Sequence, residues 1–139
     1  TGGNDPHVRG YPTPPIPGKG PTAKAVVSLV HAATMKKIYH KLVRDRIPEI
    51  IDESGKMHRV RQVRNKELKD FALKKLQEEV QEFVEDPSAE EAADVLEIFN
   101  FICGRQGLYP HTIEAERTSK RILRGGFEMG YILEWVADE

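Results

Sequence analysis

Two amphipathic stretches meet at a tight break near the middle of this chain, and together they limit the fold more than any other feature. In the first, at about 100° per residue, Leu68, Ala72, Leu76, Val80, Phe83 and Val84 fall on one stripe. The second repeats the pattern with Ala92, Val95, Ile98, Phe99 and Ile102. The spacing predicts helices from about Lys66 to Glu85 and from the break "DPSA" (86–89) to about Gly104. Asn65 is the expected N-cap of the first, Asp86 the expected cap of the second, and Pro87 its expected first helical residue. Two helices joined so closely must run antiparallel.

The stripes are not purely apolar. Glu79 falls inside the first and Glu82 at its border, while Glu91 falls inside the second and Asp94 at its border. An antiparallel hairpin makes these four acids converge. Bare carboxylates cannot share a half-buried site, because desolvation and mutual repulsion both oppose it. Protons or a cation must compensate. Oxygen-only donors suit a hard divalent ion, and the Glu-x-x-His pairs of a di-iron bundle are missing from these helices, so Mg²⁺, with Mn²⁺ in its place, is the expected ion. The competing reading is structural: Ser88-x-x-Glu91 also spells a capping box, and Glu-rich helices are commonly just solvated faces.

Around this hairpin the reading stays helical. Pro48 opens a short helix that Gly55 closes, 57–63 is extended or loop-like, "QGLYPH" (106–111) is a turn, and a further helix spans about 111–124. "RGG" (124–126) stops it, Gly125 being read as its C-cap in preference to a phosphate nest, and an apolar tail "FEMGYILEWV" follows. Strands are not predicted, so the fold class is all-α, a small helical bundle. Residues 1–34 hold the Pro- and Gly-rich "TGGNDPHVRGYPTPPIPGKGP" and then "TAKAVVSLVHAAT". They are expected to form a flexible leader, vector-derived or accessory, with the folded domain at 35–139 beginning at Met35.

Charge and length narrow the function classes. With 21 Lys and Arg against 22 Asp and Glu, the balance argues against a protein that coats duplex nucleic acid. No apolar run reaches the roughly 20 residues of a membrane span. The lone Cys103 lies in an apolar run and cannot pair within the chain, which suits a reducing cytoplasm. The expected setting is therefore cytoplasmic, without membrane.

Glu78-Glu79-x-x-Glu82 followed by Glu91-x-x-Asp94 resembles the paired acidic motif of the all-α nucleotide pyrophosphohydrolases of the MazG family. "KLVRDRIPEII" (41–51) and "KRILRGGF" (120–127) are similar to segments of its phosphoribosyl-ATP pyrophosphohydrolase-like branch, in the same order along the chain. The resemblance covers about 38–137. It implies Mg²⁺-dependent hydrolysis of a (deoxy)nucleoside triphosphate to monophosphate and pyrophosphate, usually in nucleotide-pool housecleaning. It further implies Glu79, Glu82, Glu91 and Asp94 as metal ligands, Glu78 as the group that orients or activates water, and assembly as a dimer at least and up to a tetramer.

The cationic residues fit that chemistry. A triphosphate needs positive groups beyond the metal, and Lys41, Arg44 and Arg46 supply them at one end of the domain, Lys120, Arg121 and Arg124 at the other. Arg61, Arg64 and Arg105 read instead as solvated surface, and Asp45 as a structural residue that pairs with an arginine or caps the first helix. Phe83, Phe99, Phe101 and Trp135 could stack a base but are read as core, with Phe101, off the main stripe, pointing to completion of the bundle by another subunit. The rival function is a non-catalytic helical module that binds nucleotide or protein, its acids merely solvated. A histidine-pathway substrate would keep the chemistry and change only the molecule cleaved.

Overall fold

The computed structural model describes residues 36–138, all of whose regular elements are helices. The leader expected over 1–34 lies outside the described residues. Four helices follow one another: α1 (Ile47–Glu53), α2 (Asn65–Glu85), α3 (Ala89–Arg105) and α4 (Pro110–Arg124). No helix among the described residues is long and apolar enough to cross a membrane. The chain divides into two compact units, the second beginning at Phe99, so the boundary falls within α3.

In the first unit, α1 has proline in its first turn, where the missing N–H costs no hydrogen bond. Gly55, at φ 78°, lets the chain leave the helix through a left-handed residue. No side chain caps the N-terminus of α1, so the expected capping role of Asp45 is not realised. Ile47 and Ile51, one turn apart on α1, are buried and packed with Val43 and Ile50. Ser54 closes the helix from inside: its hydroxyl donates to the carbonyl of Ile51, and it is 2% exposed.

The α2–α3 hairpin forms where the two periods predicted it, but both caps differ from expectation. Asn65 is the first residue of α2, in a left-handed conformation at φ 52°, and no side chain caps that end. At the break, Asp86 is the C-cap of α2, its N–H donating to the Glu82 carbonyl. Pro87 lies before the helix, not at its first position, because Ser88 takes the N-cap role. The Ser88 hydroxyl accepts the Glu91 N–H at 3.2 Å, and the Ser88 N–H donates to the Asp86 carbonyl.

Burial along the stripes is uneven. Ala72 and Ile98 are buried and Leu68, Leu76, Val95 and Ile102 are half-buried, whereas Val80, Phe83 and Val84 stand exposed near the end of α2. The core reading of Phe83, Phe99, Phe101 and Trp135 is thus corrected: all four are exposed among the described residues. Burial of an amphipathic stripe requires an opposing surface, and around these positions the described residues supply too little of one.

In the second unit, α4 also opens with proline and buries no residue. Gly125 caps it at φ 83°, donating its N–H to the Arg121 carbonyl. Gly126 then passes beside the Arg121–Glu128 ion pair so closely that a Cβ there would collide with both side chains. Gly125 therefore has a structural reason of its own, whereas the exposed ends of Arg121 and Glu128 can swing aside for a side chain at residue 126. The segment after Gly126 has no regular secondary structure and keeps its apolar side chains exposed.

Candidate metal centre

Helical spacing brings the acids of the hairpin together. Glu79 projects from α2, and Glu91 and Asp94 from successive positions one turn apart on α3. One carboxylate oxygen from each lies within 4.8 Å of the others. Glu91 is 1% exposed and Glu79 is 6% exposed. Carboxylates are almost never buried to this degree unless something compensates them. Glu82, half-buried three residues beyond Glu79, stands outside the trio.

Three cations compensate part of this charge. Lys75, one turn before Glu79 on α2, places Nζ 2.9 Å from Glu79 Oε1 and 3.4 Å from Glu78 Oε1. Lys41, from the segment before α1, reaches the same Glu78 oxygen at 3.0 Å. Arg44 donates to Asp94 Oδ1 at 2.7 Å. Burial pushes the Glu78 carboxyl up, but the hydrogen bonds and charges of Lys41 and Lys75 outweigh it and hold Glu78 below the usual carboxylate range. Glu78 is thereby kept ionised near neutral pH.

The compensation is incomplete at one atom. Glu79 Oε2 is buried and has no hydrogen-bond partner among the described residues. A buried oxygen of this kind costs on the order of 1–3 kcal/mol if it stays unsatisfied, and more when charged. The trio offers oxygen donors alone, with no His or Cys, which is the donor set of a hard divalent cation. Three carboxylates also leave an octahedral ion room for water and phosphate oxygens. The residues present therefore fit Mg²⁺ or Mn²⁺.

The other expected site residues divide by position. Lys41 and Arg44 stand at the acids, engaged with Glu78 and Asp94. Arg46 is exposed and pairs with Glu49 on α1 at 3.2 Å. Lys120 and Arg124 lie on α4 in the second unit, both exposed. There Lys120 lines a surface hollow of about 300 Å³ together with Leu108, Thr112, Ile113, Glu116 and Arg117. Arg61, expected to be solvated surface, makes an exposed two-pronged pair with Glu67. The sequence reading missed Lys75, although its place four residues before Glu79 is the signal that finds it.

No protein-family model, curated protein or solved structure matches this chain.

Proposed function

We propose that this protein is a Mg²⁺-dependent nucleoside triphosphate pyrophosphohydrolase of the MazG type, cleaving (deoxy)nucleoside triphosphates to monophosphate and pyrophosphate in the cytoplasm. The observation that carries this reading is the Glu79–Glu91–Asp94 trio with its buried, unpartnered Glu79 Oε2. The motif resemblance names the reaction that such a trio serves. A divalent cation bound there would neutralise phosphate charge and make a water molecule more acidic.

The chain's own residues then take definite parts. Glu79, Glu91 and Asp94 hold the cation, with Glu82 the fourth acid of the motif nearby on α2. Glu78, kept ionised by its two lysines, is in the protonation state needed to accept a proton from water. Lys41 and Arg44 are within reach of the acids and, on exchanging carboxylate for phosphate oxygens, would bind the anionic substrate. Arg46, Lys120 and Arg124 enter the proposal as phosphate-binding residues from the sequence alone, Lys120 and Arg124 belonging to the second unit. Exposed Val80, Phe83, Phe99 and Phe101 support assembly into a homo-oligomer.

Pyrophosphate release from a panel of deoxynucleoside and nucleoside triphosphates, with and without Mg²⁺, tests the reading. Mg²⁺-dependent pyrophosphate and monophosphate from at least one triphosphate is the expected result. Nucleotide binding without turnover across the panel would instead identify a non-catalytic module.

A further inference from the structure

Glu79 and Lys75 form an unusual pair for a helix surface. Both side chains are largely buried, 8% and 14% exposed. Their order along the helix, Lys before Glu, is the weaker one for i,i+4 stabilisation, because it opposes the helix dipole. Helix stability alone therefore does not account for placing them here. Their geometry does something else: it divides the two oxygens of Glu79. Oε1 accepts from Lys75 at 2.9 Å, and Oε2 is the buried oxygen without a partner.

That division matters for the choice of ion. Ca²⁺ takes six to eight oxygens at roughly 2.3–2.6 Å and readily uses carboxylates through both oxygens. Mg²⁺ and Mn²⁺ favour an octahedron in which each carboxylate gives one oxygen and water fills the rest. An ammonium held on Oε1 blocks two-oxygen ligation by Glu79 without touching Oε2. Lys75 also reaches Glu78, so it spans the ligand and its neighbour on the same helix and keeps both in place.

We infer that Lys75 is a positioning residue that sets cation selectivity, confining Glu79 to ligation through Oε2 and so favouring Mg²⁺ or Mn²⁺ over Ca²⁺. This rests on the metal-site reading above. Partners that orient a ligand commonly change metal affinity by about 10–100-fold, and here the change falls unequally on the two kinds of ion.

The test is calorimetric titration of the full chain, without nucleotide, with Mn²⁺ and with Ca²⁺. Three proteins are compared, the wild type, Lys75→Met and Lys75→Arg, each checked by circular dichroism. Met fills the same narrow space without a donor, while Arg keeps a cation on Oε1. Wild type should prefer Mn²⁺ to Ca²⁺ by about 10-fold or more, Lys75→Met should move that ratio at least about 10-fold toward Ca²⁺, and Lys75→Arg should leave it nearly unchanged. The infrared carboxylate bands of the Ca²⁺ form should gain a two-oxygen signature only in Lys75→Met. Equal changes in both affinities would overturn the selectivity role and leave the metal centre standing. Wild-type protein that binds neither ion would overturn both. If Lys75→Met does not fold, the wild-type ratio decides, and equal affinity for the two ions overturns the inference.

Discussion

Replacing Glu79 by Gln should stabilise the metal-free protein while removing its response to metal. At an effective dielectric of about 20, two carboxylates at 4.8 Å, the outer limit of the separations in the trio, repel by about 3.5 kcal/mol. Glu79 has two such neighbours, Glu91 and Asp94, giving about 7 kcal/mol at that distance. Lys75 at 2.9 Å returns about 6 kcal/mol by the same rule. These charge terms nearly cancel, so the remaining difference is the buried, unpartnered Oε2, worth about 1–3 kcal/mol. Gln keeps a carbonyl for Lys75 and puts an N–H₂ donor where the orphan oxygen stood. The metal-free variant should gain about 1–2 kcal/mol, and each kcal/mol raises Tm by about 4–8 °C in a domain of this size. The wild type, in turn, should gain about 2.7 kcal/mol when Mn²⁺ is present at one hundred times its Kd, a gain that the variant largely lacks. Thermal melts with and without Mn²⁺ read both effects, and pyrophosphate release should fall by at least about 100-fold. A metal-free Tm below that of wild type, together with an undiminished Mn²⁺ response, would refute the reasoning.

Ser88→Ala removes the acceptor of the Glu91 N–H and should cost about 1 kcal/mol, read as a lower urea midpoint with an unchanged slope. The carboxyls of Glu67, Glu114 and Glu128 are held below their ordinary range, chiefly by hydrogen bonds from Arg61, Arg117 and Arg121. Folded values that are depressed mean that the stability from these pairs is present above about pH 4.5 and is lost as pH falls through the folded values. Because all three pairs are exposed, melts from about pH 6 to pH 3 should lose this component in low salt and lose little of it in about 0.5 M salt. The exposed apolar residues of α2 and α3 predict a species larger than a monomer by light scattering at micromolar concentration, and Phe83→Glu should shift it toward monomer.

The hairpin was legible in the sequence because its signal is local. A 3.6-residue period on either side of a Pro-containing break specifies two antiparallel helices, and the acids within the stripes specify which carboxylates meet. Glu79 and Glu91, inside the stripes, meet as the wheel requires, but of the two border acids Asp94 joins them and Glu82 does not, a distinction the wheel does not draw. The caps were less legible. Asp86, Pro87 and Ser88 all favour a helix start, and the choice among them depends on one hydrogen bond, from the Glu91 N–H to the Ser88 hydroxyl. The exposed aromatic residues were not legible either. Periodicity reports which face of a helix is apolar, but it carries no information about whether the surface that covers it belongs to the same chain.

Lys75 shows where reading one charge at a time fails. On a wheel it is a cation beside a crowd of acids, and such residues are usually solvated. In the fold, burial makes its position consequential, because a largely buried ammonium between two carboxylates decides which oxygens are left over. The same holds for Lys41 and Arg44, which read as phosphate ligands and stand in the structure on Glu78 and Asp94. Cations held on the acids offset part of their charge without metal, and binding of the proposed triphosphate would exchange carboxylate oxygens for phosphate oxygens. That exchange predicts an order of events: because Arg44 engages a ligand of the proposed ion, Arg44→Ala should raise the KM for triphosphate while leaving Mn²⁺ affinity intact or tighter. Loss of Mn²⁺ affinity with an unchanged KM would place Arg44 on the metal side of the site and not on the phosphate side.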